Sequence, residues 1–150
     1  MAQSLASILV HIVFSTKNRE PRISPGLQEE LSRYLAALCH SRGCPAHRIG
    51  GTANHLHLAC SLSRTITPAT LLEELKANSS RWLKEKDPAL VGFHWQAGYG
   101  IFSLGRSQLP ALVKYIDNQA EHHRQKTFED EFRDFLHKYE VQYDEQYVWD

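Results

Sequence analysis

Two histidines, His55 and His57, stand two positions apart in a stretch that alternates like a β-strand. Successive strand side chains point to opposite faces, so both imidazoles share one face while Leu56 and Leu58 share the other. The leucine face can be buried, which leaves the histidine face to present two neutral nitrogens side by side. The pair therefore indicates either a chelating site for a divalent metal or two solvated or hydrogen-bonded strand histidines.

A third ligand and a reactive group follow about sixty residues downstream, at Tyr115 and Gln119. In a helix these two residues lie one turn apart on the same face. A tyrosine nucleophile and an amide-oxygen ligand can then approach the same ion. The alternative interpretation makes Tyr115 an amphipathic helix residue with its hydroxyl at the surface, and Gln119 a solvated side chain.

The set formed by His55-Leu56-His57, Tyr115 and Gln119 resembles the signature of the single-tyrosine His-hydrophobe-His (HUH) transposases. That family includes insertion-sequence transposases and the enzymes associated with repetitive extragenic palindromes. Three further stretches extend the resemblance over nearly the whole chain, at residues 11–19, 74–83 and 115–124.

The resemblance implies metal-assisted nicking and rejoining of single-stranded DNA next to hairpins. Tyr115 is then the nucleophile that forms a covalent 5′-phosphotyrosine, while His55, His57 and Gln119 hold Mg²⁺ or Mn²⁺. It also implies a homodimer in which Tyr115 comes from the same subunit or from the other one. We expect no membrane partner and no small-molecule cofactor.

The formal net charge is zero, but its distribution is uneven. Residues 1–126 carry 15 Lys and Arg against 9 Asp and Glu, a balance of +6, whereas residues 127–150 carry 2 against 8, a balance of −6. A basic body can hold phosphates, and an acidic tail rich in aromatic residues can pack on a partner subunit or shield part of that surface. Simple solvated faces are the alternative.

The candidate DNA-binding residues belong to three basic stretches and to two helices. Solvated side chains are the alternative at each position. The candidates are Lys17, Arg19, Arg22, Lys76, Arg81, Lys114, His122, His123 and Arg124.

A single domain over residues 1–150 accounts for the length, and the pattern order β-α-β-β-α-β predicts an α+β fold of the ferredoxin-like type with added C-terminal helices. The Tyr115 helix is expected on the sheet face that the other two helices leave open. We expect strands over 4–15, 46–51, 55–62 and 93–104, a turn over 50–54, and helices starting after Ser24, Thr67, Ser107 and Thr127.

The three cysteines form no disulfide framework, and no secretory signal or membrane span is evident, so we expect a cytoplasmic protein. Two rival functions stay open. The first is a catalytically silent protein of the same fold that binds DNA hairpins. The second is a structural zinc protein using Cys39, Cys44 and histidines such as His47, whose cysteines are equally explained as core thiols.

Overall fold

The computed structural model describes all 150 residues and contains four strands and five helices. Short 3-10 turns cover residues 17–19, 88–90 and 106–108. None of the helices is long and apolar enough to cross a membrane. In chain order the elements are β1 (Leu9–Ser15), α1 (Pro25–Ser41), β2 (Ala46–Thr52), β3 (His55–Ser61), α2 (Pro68–Lys86), β4 (Gly100–Leu104), α3 (Leu109–Asp117), α4 (Gln119–His122) and α5 (Phe128–Lys138).

The strands form one antiparallel sheet in the order β2-β3-β1-β4. This is the strand order of the ferredoxin-like βαββαβ pattern, so the predicted fold class is confirmed. The histidine strand β3 is central. In its register with β1, His57 lies opposite Val13 and His55 lies opposite Ser15.

The sheet has a hydrophobic core on each face. On one face, alternate residues of β1 and β3, such as Phe14, Leu56 and Leu58, pack against leucines of α1 and α2. The other face carries the histidines and is covered by the C-terminal helices. A second core forms there from Val13, Phe102, Phe128, Phe132 and Leu136.

Three of the predicted helix starts are confirmed, because each has an N-cap residue of the expected type. Ser24 precedes Pro25, the Thr67 hydroxyl accepts a hydrogen bond from Thr70 N at 3.1 Å, and the Thr127 hydroxyl accepts one from Asp130 N at 3.2 Å. The prediction that Ser107 caps the next helix is wrong. Ser107 lies inside a 3-10 turn that leads directly into α3.

Two strands are shorter than predicted, for identifiable reasons. β1 begins at Leu9 instead of residue 4, because both neighbouring strands end opposite Leu9, at Ser61 and Leu104. β4 begins at Gly100 instead of residue 93. Before it, Trp95 forms only an isolated bridge with Thr16, and the carbonyls of residues 96–98 accept hydrogen bonds from the Lys76 ammonium.

The hairpin turn is also tighter than predicted. Gly50 and Gly51 lie within β2 and pair opposite His57 and Leu56, so only Ala53 and Asn54 connect the strands. A Cβ atom on Gly51 would stand 2.1 Å from the carbonyl oxygen of His55. The glycine is therefore required by close backbone approach, not by a turn.

Candidate functional site

The strand β3 carries His55 into the interior, where its side chain has no solvent exposure. Its Nδ1 lies 2.8 Å from the Asn54 Oδ1 acceptor, which favours the ring hydrogen on Nδ1. The lone pair of Nε2 then faces the site, 2.9 Å from Gln119 Oε1. Burial, together with the neighbouring His57, lowers the pKa of His55 to about 3, so the imidazole is neutral as metal binding requires.

His57 is equally buried and is oriented by a histidine of the neighbouring strand. His11 Nε2 lies 2.8 Å from His57 Nδ1, and the two rings stack with centroids 5.0 Å apart. The other nitrogen of His57, Nε2, points into the site. His11 therefore lies beside the site as a buried, hydrogen-bonded histidine and orients the imidazole of His57.

The structure brings Tyr115 and Gln119 to the histidine pair within one chain, although they do not share a helix. α3 ends at Asp117 and α4 begins at Gln119, so the predicted continuous helix is broken at Asn118. The ring of Tyr115 stands edge-on to His57, with centroids 5.7 Å apart. Gln119 is 1% exposed, and its Nε2 donates to Glu131 Oε2 at 3.3 Å, which directs Oε1 towards His55.

Glu131 of α5, a residue that the sequence did not single out, lies at the centre of the site and is 2% exposed. Its Oε1 is 3.0 Å from His57 Nε2, and its Oε2 accepts a hydrogen bond from the Tyr115 hydroxyl. Burial by itself would raise the pKa of Glu131. Interactions with the neighbouring imidazoles of His123, His57 and His55 outweigh burial and hold this pKa well below its usual range.

The same contacts act on the tyrosine in the opposite direction. Burial raises the pKa of Tyr115, and its hydrogen bond to the Glu131 carboxylate raises it further. The Tyr115 hydroxyl also lies 3.2 Å from His122 Nε2. In this arrangement the phenol is protonated and held between a carboxylate and an imidazole.

A signal for Glu131 exists in the sequence. It is three residues after Phe128 and four before Phe135, which places a carboxylate on the apolar face of an amphipathic helix. A charged residue in such a position needs a polar partner inside the fold. His123 carries no comparable signal, because a histidine in a basic cluster at a helix end is equally typical of the surface.

Four residues present potential ligand atoms within 4.8 Å of one another: His55, His57, His123 and Glu131. Gln119 Oε1 adds an oxygen next to His55. Two ligand atoms bound to one ion at about 2.1 Å typically stand about 3–4 Å apart, so these residues fit a divalent metal without a large rearrangement. The mixture of imidazole, carboxylate and amide donors suits Mn²⁺ and other first-row ions better than Mg²⁺.

Three of the predicted DNA-binding residues surround the tyrosine. Lys114 and His122 line an open hollow with Tyr115, while His123 reaches the buried side of the site with Nε2 3.2 Å from Glu131 Oε2. Arg124 follows at the surface, where it pairs with Glu121 at 3.4 Å. The hollow leaves Tyr115 partly accessible from solvent.

The remaining candidates lie on other parts of the fold, and several already have partners. Arg19 donates to the carbonyl of Trp149 at 2.6 Å, Arg22 pairs with Glu20 at 3.4 Å, and the Lys76 ammonium donates to three backbone carbonyls. Lys17 and Arg81 are exposed. Contact of these five residues with DNA stays a prediction.

The cysteine-based zinc site has no support in the structure. Cys39 and Cys44 are buried free thiols of the core. His47 Nε2 forms a hydrogen bond with the Ser61 hydroxyl at 2.9 Å. The group of three or more potential ligands in the structure consists of His55, His57, His123 and Glu131, and it contains no cysteine.

Comparison with solved structures identifies the same fold in two transposases. The chain is similar to a candidate transposase from Deinococcus radiodurans R1, with a TM-score of 0.61 and 18% identity over 79% of this chain and 98% of the other. It is also similar to a REP-associated tyrosine transposase bound to a REP hairpin, with a TM-score of 0.59 and 14% identity over 82% of this chain and 74% of the other. At these identities the likeness shows the fold alone.

No curated protein matches the chain in sequence. The family described as "Transposase IS200 like" does match, over residues 4–119. The match spans more than half of the chain and includes both histidines of β3, Tyr115 and Gln119. The chain therefore belongs to the IS200-like transposase family.

Proposed function

We propose that the chain nicks and rejoins single-stranded DNA beside hairpins through a covalent 5′-phosphotyrosine on Tyr115. The observation that carries this proposal is the convergence of Tyr115, Gln119 and the histidine pair in one buried cluster of a transposase fold. These groups come from β3, α3 and α4. Their convergence supports the roles that the sequence predicts for them, with Tyr115 as nucleophile and His55, His57 and Gln119 as metal ligands.

The proposed step exchanges one phosphorus–oxygen bond for another. The Tyr115 oxygen attacks the phosphorus, and the bond to the 3′ oxygen breaks to release a 3′-hydroxyl. The phenol proton has a nearby acceptor in Glu131 Oε2, and the departing 3′ oxygen takes up one proton. Because the phosphotyrosine retains an activated bond, attack by another 3′-hydroxyl reverses the step and joins strands.

His55, His57 and Gln119 would hold the divalent ion, either Mg²⁺ or Mn²⁺. When bound, the ion supplies positive charge that stabilises the charge developing on the phosphoryl oxygens. Hydrogen bonds to the ring nitrogens that face away from the site hold the two imidazoles in position: Asn54 orients His55, and His11 orients His57.

DNA is the proposed partner. One structure of the same fold is a transposase bound to a REP hairpin. Unpaired bases are accessible to side chains in a way that stacked bases are not, which fits action on a single strand near a hairpin. Lys114, His122 and Arg124 lie near Tyr115 and are the first candidates for phosphate contact. A homodimer and a cytoplasmic location stay predictions.

A catalytically silent DNA-hairpin-binding protein is the second candidate. One observation favours it: Glu131 engages the Tyr115 hydroxyl and one of the strand histidines in a buried arrangement. A protein locked in this arrangement would bind hairpins without forming an adduct.

The test is incubation with labelled single-stranded DNA hairpins and Mn²⁺ or Mg²⁺, followed by denaturing electrophoresis. We expect a protein–DNA adduct with the parent and none with Tyr115→Phe or after chelation. Tyr34→Phe is the matched control, because Tyr34 stacks on Trp82 on the other side of the sheet. Tight hairpin binding without an adduct from any substrate would favour the silent-binder function.

A further inference from the structure

The metal site extends beyond the residues that the family resemblance implies. We infer that His123 and Glu131 join His55 and His57 as ligands of the ion, so that metal binding also fastens α5 to the sheet. The inference rests on the proposed function in that it concerns the same metal site. Both added residues lie beyond the part of the chain that the family matches, which ends at residue 119.

One buried nitrogen of the site is unsatisfied. His123 Nε2 is buried and has no hydrogen-bond partner in the protein. It lies 3.2 Å from Glu131 Oε2, but without the alignment that a hydrogen bond needs. Buried polar atoms without partners are rare in native proteins and call for an explanation such as a bound ion. An imidazole nitrogen directed at three other potential ligands is explained by a metal.

Glu131 places a buried negative charge in the site. The carboxylate is 2% exposed, yet no lysine or arginine pairs with it, and all of its ion-pair partners are histidines. A buried anion is costly unless a cation compensates it. A divalent ion held between Glu131 and the three imidazoles would supply that cation, because their ligand atoms lie within 4.8 Å of one another.

The net charge of the ion and its ligands would also match that of the substrate. Two neutral imidazoles and an amide would leave a divalent ion with its full charge of +2. With the Glu131 carboxylate the ion and its ligands keep one net positive charge, which one phosphodiester anion neutralises. This balance fits the binding of a single DNA phosphate next to Tyr115.

The ligand types also determine which ions bind well. Three imidazoles and one carboxylate are typical ligands of first-row transition ions, whereas Mg²⁺ prefers oxygen ligands and retains its waters. We expect Mn²⁺ to bind the metal-free chain more tightly than Mg²⁺. We also expect Mn²⁺ to protect α5, because Glu131 then links that helix to β3 through the ion.

The experiment is calorimetric titration of the metal-free full-length chain with Mn²⁺ in the absence of DNA. We expect Glu131→Gln and His123→Gln each to weaken Mn²⁺ binding at least tenfold. Two matched controls should bind as the parent does. Glu129→Gln changes the same residue type two positions away on α5, and His40→Gln changes an exposed histidine of α1.

A second readout uses the parent protein, in case a variant folds poorly. Hydrogen exchange of the α5 amides should slow on addition of Mn²⁺, while exchange in α1 should not change. Mn²⁺ affinity unchanged in both Glu131→Gln and His123→Gln would overturn the inference and assign the ion to His55, His57 and Gln119 alone. A parent that binds no Mn²⁺ would overturn it as well.

The proposed function can fail separately from this inference. A parent that binds Mn²⁺ through Glu131 and His123 but forms no adduct with any hairpin would contradict the catalytic proposal and leave the metal site in place. An adduct that forms with Mn²⁺ while Glu131→Gln and His123→Gln retain full Mn²⁺ affinity would support the catalytic proposal and contradict the role of these two residues as ligands.

Discussion

The imidazole of His57 depends on a residue that does not face the site directly. His11 lies on β1 and contacts His57 across the strand pair, and the same ring packs edge-on against Phe135 with centroids 5.0 Å apart. Burial, together with the neighbouring His57, lowers the pKa of His11 to about 3. The histidine therefore stays neutral. A neutral imidazole can donate to His57 Nδ1 or accept from it, so His11 orients His57 whether Nε2 of His57 donates to Glu131 or binds an ion.

This neutral state predicts an acid-sensitive fold. Between pH 6.5 and 3 the unfolded chain binds a proton at His11 that the folded chain does not, so stability from this residue is full above 6.5 and is lost as the pH falls. We expect the unfolding free energy of the metal-free protein, measured with urea, to decrease from pH 7 to pH 5. In His11→Gln this slope should be shallower by up to about 1.4 kcal/mol per pH unit.

His40→Gln is the control for that measurement, because His40 is an exposed histidine and its loss should leave the slope unchanged. Equal slopes in the parent and in His11→Gln would mean that His11 titrates in the folded chain as it does in the unfolded one.

At the scale of elements, the β2–β3 hairpin depends on its two adjacent glycines. Gly51 allows the backbone of β2 to approach His55, while Gly50 faces α3: a Cβ atom there would lie 3.0 Å from Ile116 Cγ2. α3 is the helix that carries Tyr115. The pair therefore determines both how closely the strands approach and how closely the tyrosine helix packs on the sheet.

Gly51→Ala should destabilise the protein by roughly 1–3 kcal/mol or more, because the added methyl group meets backbone atoms that cannot rotate away. The measurement is the midpoint of urea unfolding. Gly26→Ala is the matched control, since Gly26 lies in α1 with nothing within 4 Å of the new methyl group. There the same substitution should stabilise by about 0.4–1 kcal/mol. Equal midpoints in the two variants would contradict the close-approach argument.

At the scale of the whole molecule, the acidic tail packs on its own chain. α5 supplies three residues of the second core, and the last residues lie against the loop that follows β1. Arg19 donates to the carbonyl of Trp149 and stacks over its ring, while Gly98 N donates to the carbonyl of Asp150 at 2.8 Å. Trp149 is therefore packed within its own chain, whereas Tyr147 is 61% exposed, and contact of the tail with a partner subunit stays a prediction.

Arg19 should therefore anchor the C-terminus, whatever its role with DNA. We expect Arg19→Ala to speed hydrogen exchange and proteolysis of residues 144–150. Lys17→Ala should leave both rates unchanged, because that neighbouring side chain is exposed. A C-terminus that is equally protected in both variants would contradict the anchoring role. If both residues also contact phosphates, each variant should reduce the salt dependence of single-stranded DNA binding by a slope of about 0.7.

The sequence by itself determined the order of elements along the chain, the face of the histidine pair and three helix starts, and it singled out the four residues His55, His57, Tyr115 and Gln119 that the fold brings together. These follow from local periodicity, from capping residues and from a family signature, all of which are present in short stretches of chain. The break at Asn118 and the shortened β4 did not follow from any of these local signals.

Only the tertiary structure decided which distant groups complete the site. Glu131 and His123 reach the histidine pair because α5 folds back over the sheet, and Lys76 and Arg19 meet backbone carbonyls instead of facing solvent. Such contacts join residues far apart in the chain, so no local pattern predicts them. The role of a buried carboxylate depends on the groups that surround it, and packing brings those groups together.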